Sequence, residues 1–222
     1  GLVGSEMCIR DRLCPVIAEN GAMIIGSLAM VLLAAYICYI VHAVVVYSMA
    51  VKTMGGLSPL QFFKGMLPAI MFAFSSASSV GTLPINLECV EELGSDREIA
   101  SFVLPLGATI NMDGTAIYQG VCAIFIASCY GINLTLSQML TVILTATLAS
   151  IGTAGVPGAG MVMLAMVLTS VGLPVDGIAL VAGVDRIFDM GRTTVNITGD
   201  ASCSIIVSNL EKRREAKLAK KL

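Results

Sequence analysis

Long apolar runs separated by short polar segments dominate this sequence. From Gly21 to Val51 there is no Asp, Glu, Lys or Arg, and from Ile99 to Val175 the single charged residue is Asp113. Runs of more than about 18 apolar residues are long enough to cross a bilayer as helices. The pattern therefore predicts an all-α membrane protein.

Gly-, Ser- and Pro-rich segments interrupt the apolar pattern at residues 75–84 (SSASSVGTLP) and 152–160 (GTAGVPGAG). The flanking apolar segments are too short to span comfortably, so we predict two re-entrant helical hairpins. A Ser-rich linker between two spanning helices is the alternative for the first. We call the Gly-, Ser- and Pro-rich segment of each hairpin its tip. The second tip, residues 152–160, lacks the Gly-Lys-Ser/Thr of a phosphate-binding loop. It would nevertheless offer free backbone amides to an anion. The predicted order is a spanning helix at about 22–51, hairpin one at about 58–93, a broken helix at about 99–130, hairpin two at about 134–171 and a final helix at about 177–208.

Five polar residues recur at helical spacing in the last apolar segment. They are Asp185, Asp189, Arg192, Asn196 and Asp200, at steps of four, three, four and four. This spacing places them on one helix face, where Asp189 and Arg192 can pair and Thr193 lies beside them. In a soluble protein the stripe would be a solvated face. Here the chain is 56% hydrophobic and 13% charged, and charges within a membrane normally face a cavity, a partner or a ligand.

Residues 107–115, GATINMDGT, interrupt the preceding apolar helix with poor helix formers. An unwound backbone there would expose carbonyl oxygens beside the Asp113 carboxylate, an oxygen cage suited to a hard cation. Alternatively, Asp113 caps a second helix. Capping explains an Asp, but not its position as the single charge in so long an apolar stretch.

The two interrupted segments resemble each other. Residues 79–82 (SVGT) precede Pro84 and residues 150–153 (SIGT) precede Pro157. Each is followed by a helix with an Asn near an Asp. Paired segments broken by Gly and Pro indicate a transporter whose binding site lies at the membrane midplane.

Charge and cysteine content narrow the picture further. The net charge of −2 gives no indication of nucleic-acid binding, and the seven Cys form no C-x-x-C pair, so we interpret them as packing residues.

Residues 1–12 (GLVGSEMCIRDR) read like translated sequencing-adapter sequence, a hypothesis that a genomic reading frame encoding them would overturn. Residues 211–222 form a basic tail, which predicts a cytoplasmic C-terminus by the positive-inside rule. The basic residues of the segment 211–222 are Lys212, Arg213, Arg214, Lys217, Lys220 and Lys221.

Four motifs together resemble a known family. They are the serine-rich tip (Ser75 to Ser79), NMDGT (111–115), GTAGVPGAG (152–160) and DMGRTTVNITGD (189–200). In order and spacing they are similar to the C-terminal half of the glutamate transporter homologues, the dicarboxylate/amino acid:cation symporters, over about residues 13–210. The resemblance implies an elevator-type transport domain with an inverted repeat, lacking the N-terminal scaffold and one further helix. It also implies a homotrimer in a plasma membrane, the bacterial inner membrane in our expectation.

The resemblance also implies roles for single residues. Asp189 would bind the amino group of the substrate, and Arg192, helped by Thr115, its side-chain carboxylate. Asn196 and the first tip would hold the main-chain carboxylate, and the second tip would close over the substrate. The implied substrate-binding set is Ser78, Ser79, Thr115, Val156, Gly160, Asp189, Arg192, Thr193 and Asn196.

Three Na⁺ sites are implied in the same way. The first would use Gly107, Asn111, Asn196 and Asp200. The second would use Thr109, Met112, Ser150, Ile151 and Thr153, mostly through backbone oxygens. The third would use Asp113 with Asn111, and its other ligands would lie on the missing helix.

Three positions depart from the family pattern. Ala77 stands where some members have an Arg at the first tip, and Met190 stands where others place that Arg on the last helix. Val80 replaces a serine common at the tip. The sequence leaves open whether the nearby Arg186 substitutes. His42 is interpreted as a packing or interface residue without a role.

The function expected from this resemblance is Na⁺-driven import of glutamate, aspartate or a related dicarboxylate across the bilayer. Coupling to H⁺ is the nearest alternative, because Asp113 or Asp200 could carry a proton. An intramembrane aspartyl protease is the alternative of another class, with Asp113 and Asp189 or Asp200 as the dyad. Proteolysis requires neither a buried Arg nor two glycine-broken hairpins, so we do not expect an enzyme. The isolated chain is not expected to complete transport.

Overall fold

A computed structural model describes residues 26–220, and the regular elements in that range are all helical, which confirms the all-α prediction. The segment 1–12 lies outside the described residues. The helices are α1 Gly26–Gly55, α2 Pro59–Gly65, α3 Leu67–Ser76, α4 Ser79–Glu92, α5 Arg97–Ile110, α6 Asp113–Cys129, α7 Leu136–Ser150, α8 Ala159–Ser170, α9 Ile178–Ala182 and α10 Asp185–Ala219, with a 3₁₀ turn at Val175–Gly177. Within this range, α1 and the segment Arg97–Cys129 are long and apolar enough to cross a membrane.

Helix α10 lies at the centre of the packing and contacts α3, α4, α5, α6 and the end of α1. Its buried apolar side chains, Phe188, Ile197 and Ala201 among them, join the core. The element differs from the predicted final helix at about 177–208. A turn at residues 183–184 separates α9 from α10, with Val184 outside helical geometry, and α10 then continues to Ala219. The basic residues from Lys212 to Lys217 therefore belong to the helix.

The starts of α2 and α7 follow directly from local sequence. Ser58 and Gln61 form a reciprocal capping box before Pro59, which suits the first turn of a helix. Thr135 and Gln138 form the same box at α7. Both boxes satisfy backbone amides that have no partner within the helix.

Three short interruptions bring the polar segments together. At residues 111–112 the backbone between α5 and α6 is non-helical, a break shorter than the predicted 107–115. Ala77 takes a left-handed conformation between α3 and α4, with φ of 53°. Residues 151–158 connect α7 to α8, with positive φ at Gly152 and Gly158. Helix α3 packs against α4, and α7 packs against α8.

Candidate functional site

An ion pair between Asp189 and Arg192 forms the centre of the polar stripe on α10. Arg192 Nε donates to Asp189 Oδ1 at 2.8 Å, and the Thr193 hydroxyl lies 3.4 Å from the same oxygen. Arg192 is 2% exposed and Asp189 is 3% exposed. Breaking a buried pair of this kind by removing one partner costs about 3–5 kcal/mol. Loss of either side chain would therefore leave an uncompensated buried charge.

The rest of the Arg192 guanidinium faces aromatic, acidic and glycine surroundings. Its Cζ lies 4.7 Å from the centroid of the Tyr118 ring, which is a cation–π contact. Asp185 Oδ1 is 3.8 Å from Nη1, too far for a hydrogen bond. A Cβ at Gly160 would overlap Nη1. Glycine at position 160 is therefore required for the guanidinium to occupy this position.

The loop between α7 and α8 covers this ion pair. Gly158 N donates to Asp189 Oδ2 at 2.9 Å. The carbonyl of Gly155 accepts from Ser78 Oγ at 3.2 Å and from Val80 N at 3.3 Å. The tips of the two helix pairs therefore touch each other above Asp189. Only about 10 Å³ of free space remains beneath them.

Asn196 ties α10 to the break between α5 and α6. Its Oδ1 accepts from Gly114 N at 2.8 Å, and its Nδ2 donates to Thr115 Oγ1 at 3.3 Å and to Met112 Sδ at 3.1 Å. A Cβ at Gly114 would overlap the Arg192 carbonyl oxygen. The backbone at the start of α6 therefore lies in direct contact with the backbone of α10. These contacts hold Thr115 beside the ion pair.

Oxygen atoms converge one turn further along α10. Asn111 Nδ2 donates to Asp200 Oδ1 at 2.9 Å and to the Asn196 carbonyl at 3.2 Å. A Cβ at Gly107 would overlap Asp200 Oδ1. Asp200 is 1% exposed, and its Oδ2 has no hydrogen-bond partner among the described residues. A buried carboxylate oxygen beside main-chain carbonyls is the donor set that a hard cation such as Na⁺ takes.

The second implied ion set is only partly assembled. Gly152 N donates to the Thr109 carbonyl at 2.8 Å, which joins the end of α5 to the α7–α8 loop. Ser150 and Thr153 are buried, and their hydroxyls bond to Thr147 and Ala149 carbonyls within their own turns. The Ile151 side chain is half exposed and is a hydrocarbon, so this residue could contribute only its backbone oxygen.

Asp113 has two partners that the sequence did not indicate. Its Oδ2 lies 3.1 Å from His42 Nε2 and accepts from Tyr47 OH at 2.9 Å. Both partners belong to α1, where a π-helical turn covers Ala43–Tyr47. The sequence interpretation gave His42 no role, and the structure places its ring against a predicted ion ligand. The π-helical turn beside His42 is visible only in the structure, and no sequence pattern indicated it.

Most residues of the implied substrate set line the small cavity at the ion pair. The lining residues are Ser79, Met112, Thr115, Thr153, Ala154, Gly155, Val156, Gly160, Asp189, Arg192, Thr193 and Asn196. Ser78 is not among them, because its hydroxyl caps α4 and bonds to Gly155. Sequence reasoning assigned no role to Tyr118 or Gly155, and it gave Asp185 no role beyond membership of the polar stripe.

Comparison with known proteins gives a consistent result. A family model described as "Sodium:dicarboxylate symporter family" matches residues 13–210. The chain is 45% identical over 195 residues to excitatory amino acid transporter 1 of Rattus norvegicus, covering 87% of this chain and 36% of that protein. It is 52% identical over 156 residues to an excitatory amino acid transporter of Caenorhabditis elegans, covering 70% of this chain and 31% of that protein. It is 51% identical over 156 residues to excitatory amino acid transporter 2 of Homo sapiens, covering 70% and 27% respectively. The chain thus spans about a third of the length of these relatives.

Proposed function

Because this chain belongs to the sodium:dicarboxylate symporter family, we propose that the complete protein is a secondary active symporter that imports glutamate, aspartate or a related dicarboxylate with Na⁺. The family is one of integral membrane transporters and not of enzymes, so the protease alternative is set aside. The relatives named as excitatory amino acid transporters support an acidic amino acid as the substrate.

The observation that carries the proposal is the unused hydrogen-bonding capacity of Arg192. Its Nη1 is buried and has no hydrogen-bond partner among the described residues, while its Nε is held by Asp189. A guanidinium presents parallel donors that match a carboxylate. The substrate side-chain carboxylate would take Nη1, and the substrate ammonium would take Asp189.

Binding requires the α7–α8 loop to move. A space of about 10 Å³ cannot hold an amino acid, since ligand sites usually enclose roughly 300–1,000 Å³. Opening would break the bond from Gly158 N to Asp189 Oδ2, which frees that carboxylate for the substrate ammonium. Closing would then exclude water and strengthen each polar contact in the site.

Na⁺ enters this proposal as a co-transported substrate. Asp200 Oδ2 has no hydrogen-bond partner among the described residues, and a cation there would balance a charge that is costly to bury alone. The Asn196 and Gly107 carbonyls would complete this site with Asn111. The two further ion sets, around Thr109 and around Asp113, are proposed on the resemblance of their motifs.

H⁺ coupling is retained as the second candidate because of one contact. The Asp113 carboxyl contacts the His42 ring and the Tyr47 hydroxyl, polar partners that a protonated carboxyl could also hydrogen-bond. An Asp113 carboxyl that carries a proton would replace an ion in the cycle. Uptake at fixed pH with and without Na⁺ separates the two candidates.

The proposed architecture extends beyond this chain. We propose that the paired helices α3–α4 and α7–α8 are re-entrant hairpins of an elevator-type transport domain, and that the missing scaffold forms a trimer. Six basic residues near the C-terminus support a cytoplasmic orientation of that end. A plasma membrane, and the bacterial inner membrane in particular, stays a prediction.

Uptake of radiolabelled L-aspartate into proteoliposomes containing the complete protein tests the function. We expect accumulation that requires an inward Na⁺ gradient and is competed by unlabelled glutamate. Accumulation under a proton gradient without Na⁺ would overturn the coupling ion but not the site. Failure under both gradients, with folded protein in the membrane, would overturn the substrate class.

A further inference from the structure

The guanidinium of Arg186 lies against the end of α3, and Arg186 is not part of the proposed substrate or ion sites. Arg186 Nη2 donates to the Ser75 carbonyl at 3.0 Å and to the Ser76 carbonyl at 3.3 Å. These carbonyls belong to the last turn of α3, where main-chain oxygens lack partners within the helix and the helix dipole is negative. A cationic donor on α10 therefore satisfies the end of a neighbouring helix.

The turn that Arg186 contacts is held in an uncommon conformation. Ala77 follows Ser76 with φ of 53° and ψ of 37°, and it is the one non-glycine residue with positive φ within residues 26–220. L-residues rarely adopt this region, and such geometry persists where the surroundings enforce it. Arg186 supplies part of that enforcement, because it binds the two carbonyls immediately before Ala77.

The same turn determines where the first tip enters the site. Ser78 accepts from Gly81 N at 3.0 Å to begin α4, and Ser79 then lines the cavity at the ion pair. Arg186 stands three residues before Asp189 on α10. It therefore connects the helix that carries the ion pair to the turn that positions Ser79.

The charge of Arg186 is not neutralised by a neighbouring acid. No carboxylate within the described range forms a salt bridge with it, and its side chain is exposed. A positive charge on the helix that carries the ion pair, three residues before Asp189, raises the local concentration of an anion. An acidic substrate would benefit from this, whereas a neutral amino acid would not.

We propose that Arg186 is a positioning residue for acidic substrate, which fixes the end of α3 on α10 and thereby places Ser79 against the ion pair. This inference rests on the proposed function for its substrate, but its structural part does not. Hydrogen exchange and substrate binding therefore test it separately.

Hydrogen exchange in the complete protein, without substrate, tests the structural part. In Arg186→Ala we expect the amides of residues 77–82 to exchange at least fivefold faster than in the parent protein. Arg214→Ala is the matched control, since Arg214 is an exposed arginine on the same helix that contacts Glu211. Unchanged exchange at 77–82 in Arg186→Ala would overturn the proposal, and so would acceleration spread over all helices.

Aspartate binding and uptake test the positioning role. For Arg186→Ala we expect Kd and KM for aspartate to rise at least tenfold while Vmax changes less than twofold. Arg186→Lys should recover most of the affinity, and Arg186→Gln should recover less, because it keeps a donor but loses the charge. Equal affinity in the parent protein and Arg186→Ala would refute the role.

If Arg186→Ala does not fold, the aspartate affinities of Arg186→Lys and Arg186→Gln decide the question, and a Gln variant that binds as tightly as the Lys variant refutes the role. If the parent protein binds no acidic substrate, the proposed function fails and the exchange result still stands.

Discussion

Asn111 and Asp200 are joined by a hydrogen bond of 2.9 Å between Asn111 Nδ2 and Asp200 Oδ1, although they lie 89 positions apart. The bond fixes the carboxylate while leaving its second oxygen without a hydrogen-bond partner among the described residues. The carboxylate is therefore anchored through one oxygen, and the other is the atom proposed above to bind Na⁺. The relationship connects the break after α5 with the centre of α10.

The first prediction concerns Na⁺ dependence. Asp200→Asn keeps the shape of the side chain but removes its charge, so the apparent Na⁺ affinity of aspartate binding should fall by roughly 10–100-fold, the scale of changes around metal ligands. Titration of binding with NaCl at constant ionic strength measures this. Asp176→Asn is the control, because Asp176 is an exposed acid outside the site. An unchanged Na⁺ titration in Asp200→Asn would contradict the ion site.

The second prediction concerns the space above Arg192. Gly160→Ala adds a Cβ that overlaps the guanidinium, so the side chain must move. A displacement of about 1 Å can reduce activity roughly 100-fold, and we expect aspartate uptake to fall by that order. Gly120→Ala is the matched control, since a Cβ there meets nothing within 4 Å. Similar uptake by the two variants would show that Arg192 does not require this position.

The third prediction concerns substrate preference. Arg192→Thr removes the group proposed to bind the substrate side-chain carboxylate, at a cost of about 2–5 kcal/mol, which is roughly 30-fold to several thousand-fold in affinity. Preference should move towards neutral amino acids, as competition of labelled serine and aspartate would show. Arg192→Lys should retain some preference for aspartate, because it keeps the charge without the planar fork.

Arg192→Thr also leaves Asp185 and Asp189 without the positive charge that they face. We therefore expect Arg192→Thr to lower thermal stability more than Arg192→Lys does, since uncompensated buried charge is costly. Aspartate uptake that survives in Arg192→Thr at parental affinity would show the substrate assignment to be wrong.

The fourth prediction concerns stability in acid. Hydrogen bonding from Ser208 and then from Lys212 lowers the pKa of Asp96 below its ordinary value. The stability that this carboxylate contributes is present above the ordinary pKa of Asp, near 4, and is lost as the pH falls through the lowered pKa. Melting temperatures of Asp96→Asn should therefore show a smaller decline between about pH 5 and pH 2 than those of the parent protein. The exposed Glu98→Gln serves as the control. Parallel pH profiles for Asp96→Asn and the parent protein would count against the contact.

Periodicity along the chain was sufficient to place the polar stripe on one helix. The spacing from Asp185 to Asp200 depends only on helix geometry, which is local, and the structure keeps these residues on α10. The apolar runs likewise predicted the helical class, and the Gly- and Pro-rich segments predicted where helices end. Boundaries were less predictable, as the unforeseen break before Asp185 and the extension to Ala219 show.

The local sequence pattern did not predict the contacts between elements that are distant along the chain. His42 reaches Asp113 across 71 positions, and Arg186 reaches Ser75 across 111. Neither pairing leaves a periodic signal, because it depends on which faces of separate helices pack together. Tyr118 was overlooked for the same reason, since a ring on an apolar helix shows no sign of the guanidinium beside it.

Composition, periodicity and the four motifs were thus enough to establish the helical class and the family, and they indicated most of the residues that line the cavity at Arg192. Tertiary packing alone decided that Arg192 Nε is held by Asp189 while Nη1 has no hydrogen-bond partner among the described residues, that the second tip covers Asp189, and that Arg186 binds the turn at Ala77. The physical reason is range. Helix formation and apolar burial are encoded residue by residue, whereas a hydrogen bond between two helices exists only after its donor and acceptor atoms have been brought within about 3 Å of each other.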